Sequence, residues 1–263
     1  MSEVSQKVIE YKAKIKELKP FDISCCFPPI DYNSLDKFTS KEAIINGLAK
    51  HGIERAAFWN MDCNIVSPIA GNEEAIRAIK GHDNCYLCAV LSPDMDVKEG
   101  DLDKYLDYYA ENKLVAARMF PTKLVHSMQD WCVGNILAAL EKRGIPLILW
   151  HTEVSWDTVA SIATRYPNLK IIIEAIDKKM LYHSKNQAML IKKFKNIYFG
   201  SYNLGQYGIL EALNTANDCR VVLATNYPVS NPQMSFGIIT EANVSEETKA
   251  YICHGFAEEI INK

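Results

Sequence analysis

Six residues of this chain combine a reactive type with a telling position: Ser24, Cys26, Arg118, His151, Glu174 and Asn226 each lie at or near the end of a short apolar run. His151 closes "PLILWH", and a histidine there is an acid/base or ligand-binding group that works near neutral pH. Asn226 closes "RVVLATN". Its amide donates and accepts hydrogen bonds, so it can orient a substrate, but it has no proton affinity to serve as a base. Arg118, in "LVAARMF", offers a planar fork for a carboxylate or phosphate, or else an ion pair with Glu174 or Asp22. Cys26 could be a thiol nucleophile with His151 as its base, although a buried, inert cysteine is the commoner outcome. Glu174 is an acid/base if it faces a polar mouth. Strand alternation puts Ala175 inward, so Glu174 is expected to face surrounding helices and pair with a lysine or arginine.

Aromatic residues lie beside these groups. Trp59 and Tyr202 are expected to line an apolar pocket. Trp150 alternates away from His151 and is expected to pack beneath the helices. His126, Asp130 and Trp131 follow the fourth run and could cover the mouth. His51, His82, His183 and His254 fall on helix ends or loops, where a solvated surface role is the default.

The elements that must hold this set are eight apolar runs: 21–26, 55–60, 85–91, 114–120, 146–151, 169–175, 197–201 and 220–226. Their near-continuous hydrophobicity fits parallel strands covered on both faces. Amphipathic segments at 70–80, 101–112, 129–143, 155–166, 184–195, 204–217 and 245–262 read as helices between and after them. Thr39-Ser40-Lys41-Glu42 is a capping-box pattern that opens a further helix, with Gly52 as its stop. Ser155 and Ser245 suit N-caps, and Arg143-Gly144-Ile145-Pro146 reads as a helix stop before a strand. The alternation predicts an α/β fold, a (β/α)8 TIM barrel over residues 1–263 as a single domain, with residues 1–19 as an N-terminal helical extension. A doubly wound open sheet is the alternative, but the first run lacks the glycine-rich turn such a sheet offers. In the barrel all the strand ends named above converge on one mouth.

The chain has 263 residues, 48% of them hydrophobic, and a net charge of -3. That supports a large core, and with no basic block it argues against a nucleic-acid partner. The apolar runs are too short to cross a membrane, and no apolar leader opens the chain, so a cytoplasmic protein is expected. The eight cysteines then read as reduced thiols. Cys85 and Cys88 form a lone CxxC whose side chains fall on opposite strand faces, poor for chelation. A homodimer is expected on general grounds of symmetry.

Several stretches resemble the amidohydrolase superfamily, in particular its amidohydrolase-2 branch of TIM-barrel hydrolases and decarboxylases. They are "ARMFPT" (117–122), "KRGIPLILWHTEVSWDTVASIATRYPNLKIII" (142–173), "RVVLATNYPVS" and "GIITEANVSEETKAYICHGFAEEII". The resemblance implies a metal site at the barrel mouth, built from a strand-1 D-x-H-x-H motif, histidines on strands 5 and 6, and an aspartate on strand 8. The matching positions here are Asp22-Ile23-Ser24-Cys25-Cys26, His151, Ala175 and Asn226, so His151 alone of those metal-site histidines and the aspartate is kept. The usual metal-hydroxide mechanism is therefore expected to be lost.

Three readings follow. In the first, a hydrolase-derived barrel binds a small molecule, such as a carboxylate, at its mouth, with His151 and Asn226 as catalytic residues and Arg118, Ser24, Cys26, Trp59 and Tyr202 around the substrate. In the second, the barrel binds a ligand or partner without catalysis. In the third, Cys26, His151 and Glu174 form a rebuilt zinc site, since their donor types suit zinc. The first two expect no cofactor.

Overall fold

A computed structural model describes residues 3–29, 38–176, 180–216 and 218–262. Helix α1 (Glu3–Glu17) precedes eight strands: β1 (Phe21–Phe27), β2 (Arg55–Asn60), β3 (Cys85–Val90), β4 (Leu114–Arg118), β5 (Leu147–Trp150), β6 (Ile171–Glu174), β7 (Ile197–Gly200) and β8 (Val221–Val222). All pairings are parallel and the order is sequential, β1 to β8. Backbone bonds close the ring. Ile23 N donates to Leu223 O (3.1 Å), Asn226 N to Ser24 O (3.1 Å) and Cys26 N to Tyr227 O (2.8 Å). The result is the expected (β/α)8 barrel.

Helices α2 (Lys41–His51), α3 (Pro68–Ile79), α4 (Asp101–Glu111), α5 (Asp130–Arg143), α6 (Trp156–Arg165), α7 (Ser184–Lys193) and α8 (Gln206–Ala216) fall between the strands. Ser155 and Ser245 cap as expected, accepting from Thr158 N and Thr248 N. For α2 the cap is Ser40, which accepts from Ala43 N, one residue later than a box starting at Thr39. Gly52 (φ 81°) and Gly144 (φ 65°) end their helices in the left-handed region, where a side chain is strained.

Two elements differ from the sequence reading. Helix α9 (Gln233–Thr240) was not expected: it is eight residues long, contains Gly237 and has no side-chain N-cap. The C-terminal helix is interrupted by a π-turn at Tyr251–Gly255, between Glu246–Ala250 and Phe256–Ile261.

Two apolar clusters divide the strand residues by face. Ala56, Phe58, Leu87, Ala89, Ala117, Leu149, Ile173 and Ala175 pack outward with the helices. Ala57, Cys88, Ala116, Ile148, Ile172, Tyr198 and Val222 fill the barrel. Cys85 lies in the first cluster and Cys88 in the second, so the CxxC is split across the sheet. Barrel cores are built in layers from alternate strands. Ala57, Ala116, Ile172 and Val222 are one such set on the even strands. Two residues further along the same strands come Trp59, Arg118, Glu174 and Ala224, so the layer nearest the mouth carries opposite charges.

Glycine makes room for that layer. A Cβ on Gly200 would lie 3.0 Å from Glu174 Cγ and 3.1 Å from Ala224 Cβ. Gly200→Ala is expected to destabilise the fold by about 1–3 kcal/mol by overpacking, read as a lower urea midpoint. An unchanged midpoint would show that the Glu174 layer is loosely packed.

Candidate functional site

Asp22 determines the local shape of the mouth between β1 and β8. It is fully buried, and its Oδ1 accepts from Ser24 N (2.9 Å) and Thr225 N (3.1 Å). Its Oδ2 accepts from the Cys25 thiol (3.2 Å) and the Thr225 hydroxyl. The carboxylate thus takes over ladder positions, which explains the bulge between Asp22 and Cys25. It also explains why the expected strand 220–226 pairs only over Val221–Val222: the Thr225 amide goes to Asp22, and Asn226 adopts a left-handed φ of 58°. Burial lifts the Asp22 carboxyl above its ordinary range, and its four donors draw it back.

Arg118 lies at the centre of the mouth layer with no solvent exposure. Nη1 donates to Glu174 Oε2 at 2.8 Å and Nη2 to Ser24 Oγ at 2.9 Å. Its Cζ lies 5.2 Å from the Trp59 ring centroid, 5.9 Å from Trp150 and 6.0 Å from Phe120. The three rings also pack on one another, with centroids 4.7–5.6 Å apart. Burial opposes the charge on Arg118, but Glu174 and Cys88 more than offset this and hold its pKa above the ordinary value.

The structure therefore chooses the ion pair among the two readings of Arg118, and it corrects two orientations. Glu174 faces the barrel interior, in phase with Ile172, while Ala175 packs outward. Trp150 likewise points inward, level with Glu174 in the ladder. Both expectations took the phase from the residue after the last paired one, where the chain is already leaving the strand. An inward glutamate is tolerable because Arg118, from another strand, neutralises it.

The other sequence candidates divide. Ser24 is committed to Arg118. Cys26 is fully buried, and burial pushes its thiol pKa well up, with Arg118 lowering it in part. That shift disfavours the thiolate a nucleophile needs. His151 is 9% exposed, and its Nδ1 lies 3.3 Å from the Glu174 carbonyl oxygen. Its ring stands 5.7 Å from that of His183, which in turn receives a bond from Trp156 Nε1 (3.3 Å). His183, expected as a surface residue, is thus brought to the mouth by the segment before α7, a placement no local pattern signals.

Tyr202 does not join the mouth aromatics. It is half-buried against the helix-facing cluster, because it follows β7 by two residues and has left the strand. The expected cover from residues 126–131 is likewise not formed over Arg118. Trp131 stands 81% exposed, and Asp130 is held by Arg165 (3.2 Å) and the Tyr166 hydroxyl (2.5 Å). His126 lines a separate cavity of about 510 Å3 with Thr122, Glu153 and Ser155.

Among the described residues, several buried polar atoms near the strand ends have no hydrogen-bond partner: Trp59 Nε1, Asn60 Nδ2, Arg118 Nε, Glu174 Oε1 and Asn226 Nδ2. Their residues are at most 6% exposed. Asn60, the last residue of β2, otherwise caps the following turn by accepting from Asp62 N (3.0 Å).

No protein-family model matches the sequence, and no curated protein matches it. Solved structures do match in three dimensions. A dihydroxybenzoic acid decarboxylase from Polaromonas sp. JS666, with bound manganese and the inhibitor 2-nitroresorcinol, superposes with a TM-score of 0.68 at 11% identity, covering 92% of this chain and 96% of that one. A 5-carboxyvanillate decarboxylase from Novosphingobium aromaticivorans DSM 12444, also with manganese, gives 0.68 at 12% identity, covering 94% and 98%. A 4-oxalomesaconate hydratase from Rhodopseudomonas palustris gives 0.63 at 15% identity, covering 92% and 95%. The fold shared with them is the (β/α)8 barrel. At these identities the likeness is one of fold, and it agrees with the resemblance carried by the sequence motifs.

The donors among the described residues do not fit a metal such as manganese. Among the described residues no group of three His, Cys, Asp or Glu side chains could hold a metal ion. The trio Cys26, His151 and Glu174 fails for a stated reason. Glu174 gives one oxygen to a guanidinium, and the Cys26 thiol is driven away from ionisation. No helix among the described residues is long and apolar enough to cross a membrane.

The thiol environments make a further expectation. Cys132 and Cys219 are partly accessible, whereas the other six cysteines are buried. Burial raises the Cys219 pKa to about 11. In native protein, iodoacetamide is expected to label Cys132 first and Cys26 not at all on the same timescale, as read by peptide mass spectrometry. Early labelling of Cys26 would contradict its burial.

Proposed function

We propose that the barrel mouth is a metal-independent site for a small molecule rich in hydrogen-bond acceptors, such as a carboxylate. The observation that carries this reading is the set of buried donors that no described residue pairs: Trp59 Nε1, Asn60 Nδ2 and Asn226 Nδ2. They stand on β2 and just past β8, the two neighbours of β1. A buried donor left unsatisfied costs about 1–3 kcal/mol, so a ligand that pairs several of them gains specificity and affinity together. The Trp59, Phe120 and Trp150 rings add an apolar wall suited to a flat molecule. In this reading Asn226 orients the ligand, and Arg118 and Ser24 shape the site from beneath.

Calorimetry with 2,6-dihydroxybenzoate, 2-nitroresorcinol and a small lactone tests the reading; the first two are ligands named for fold relatives. Binding that weakens by about tenfold in Asn226→Ala supports it, since one hydrogen bond to a charged group is worth about that much. Binding untouched by Asn226→Ala and by Trp59→Phe would place the ligand elsewhere.

A second reading, in which catalysis persists, rests on His151. The contact between Nδ1 and the Glu174 carbonyl orients the imidazole at the mouth, where it can serve as an acid/base. Turnover of an ester or lactone that disappears in His151→Ala while binding survives would select this reading over simple binding.

A further inference from the structure

We infer that Arg118 is the resident cation of this barrel: its guanidinium takes, with a charge borne by the protein, the place among the strand-end residues that a metal ion would need. The inference rests on the metal-independent reading of the mouth. Its test reads stability and metal response rather than ligand affinity, so either can fail alone.

The residues around the guanidinium carry the argument. Ser24 and Cys26 are the two positions that match the strand-1 histidines. Ser24 Oγ accepts from Arg118 Nη2 at 2.9 Å, and Cys26 is near enough for Arg118 to lower its pKa. Glu174, beside the strand-6 match Ala175, accepts from Nη1 at 2.8 Å. The chain thus keeps one anion at the centre of the mouth and neutralises it internally. Both partners are almost wholly removed from solvent, with side chains 0% and 4% exposed. A divalent ion arriving among these groups would meet a like charge in a low-dielectric interior, with the Glu174 carboxylate engaged by Arg118 and the Asp22 carboxylate by its four donors. Three aromatic faces around Cζ supply the remaining stabilisation, a geometry that suits a planar, weakly hydrated cation.

The pair also keeps one open donor and one open acceptor. Arg118 Nε and Glu174 Oε1 have no partner among the described residues, and neither does Trp59 Nε1 beside them. The ion pair is therefore the polar floor of the mouth and not only a filler of the core.

The experiment follows thermal unfolding of the whole chain with EDTA, manganese, zinc or methylguanidinium added. The wild type is expected to keep one midpoint in EDTA, manganese and zinc. Arg118→Ala is expected to lose about 10 °C, the scale set by an uncompensated buried charge in a domain of this size. Millimolar methylguanidinium or manganese is expected to restore part of that loss, and to restore nothing in Arg118→Ala/Glu174→Ala, where the anion is gone. If Arg118→Ala does not fold, Arg118→Lys and Arg118→Met replace it, and the lysine variant, which keeps the charge, is expected to unfold later. A wild-type midpoint that falls in EDTA and returns with manganese would overturn the inference. So would a rescue that does not depend on Glu174, or a lysine variant no more stable than the methionine one.

Discussion

Arg118→Met is expected to destabilise the barrel by about 3–5 kcal/mol, while Arg118→Met/Glu174→Leu recovers most of that loss. The single change removes the partner of a carboxylate whose side chain is 4% exposed and whose other oxygen has no hydrogen bond from the described residues. Glu174 must then either stay charged in an apolar layer or take up a proton. The double change turns the layer Trp59, Arg118, Glu174 and Ala224 into an apolar one of similar volume, which barrels accommodate well. Urea unfolding at neutral pH measures both. If the double variant is as unstable as the single, the arginine acts through its packing against the three aromatic rings and not through its charge.

Asp22→Ala is expected to cost about 3–5 kcal/mol and to loosen the joint between the first and last strands. Four donors converge on this carboxylate, two of them backbone amides at the bulge and at Thr225. Alanine would leave them buried and unsatisfied together. The backbone bonds that close the barrel, Ile23 to Leu223 and Asn226 to Ser24, flank the same point. Hydrogen exchange should therefore accelerate locally at Ser24 and Thr225 in addition to the global loss. A loss under about 1 kcal/mol would show that the joint is held by the ladder alone.

Most of the architecture was legible because it depends on period and punctuation. The eight apolar runs, the serine caps at Ser155 and Ser245 and the stop at Gly144 are local signals; each run carries a strand, although that in 220–226 shrinks to Val221–Val222, and the caps and the stop lie where expected. Helix α9 was not legible because eight residues with a glycine and no cap carry little periodic signal. The site was half legible. That Ser24, Cys26, Arg118, His151 and Asn226 share one end of the barrel follows from topology. Which way Glu174 and Trp150 point did not, because phase was judged at strand ends, where the period-two rule stops applying. The decisive fact, that Arg118 spends its fork on Glu174 and Ser24, depends on side chains 56 and 94 residues away in sequence. The sequence reading held that pairing as one of two alternatives, and only the three-dimensional arrangement selects it.

The metal content of the purified, untagged chain tests the central claim most directly, by elemental analysis at neutral pH before and after incubation with zinc and manganese. A mouth whose cation is Arg118 predicts well under one tightly held metal per chain in both samples. About one metal per chain, lost together in Cys26→Ser and His151→Ala, would contradict it and restore a metal-centred site.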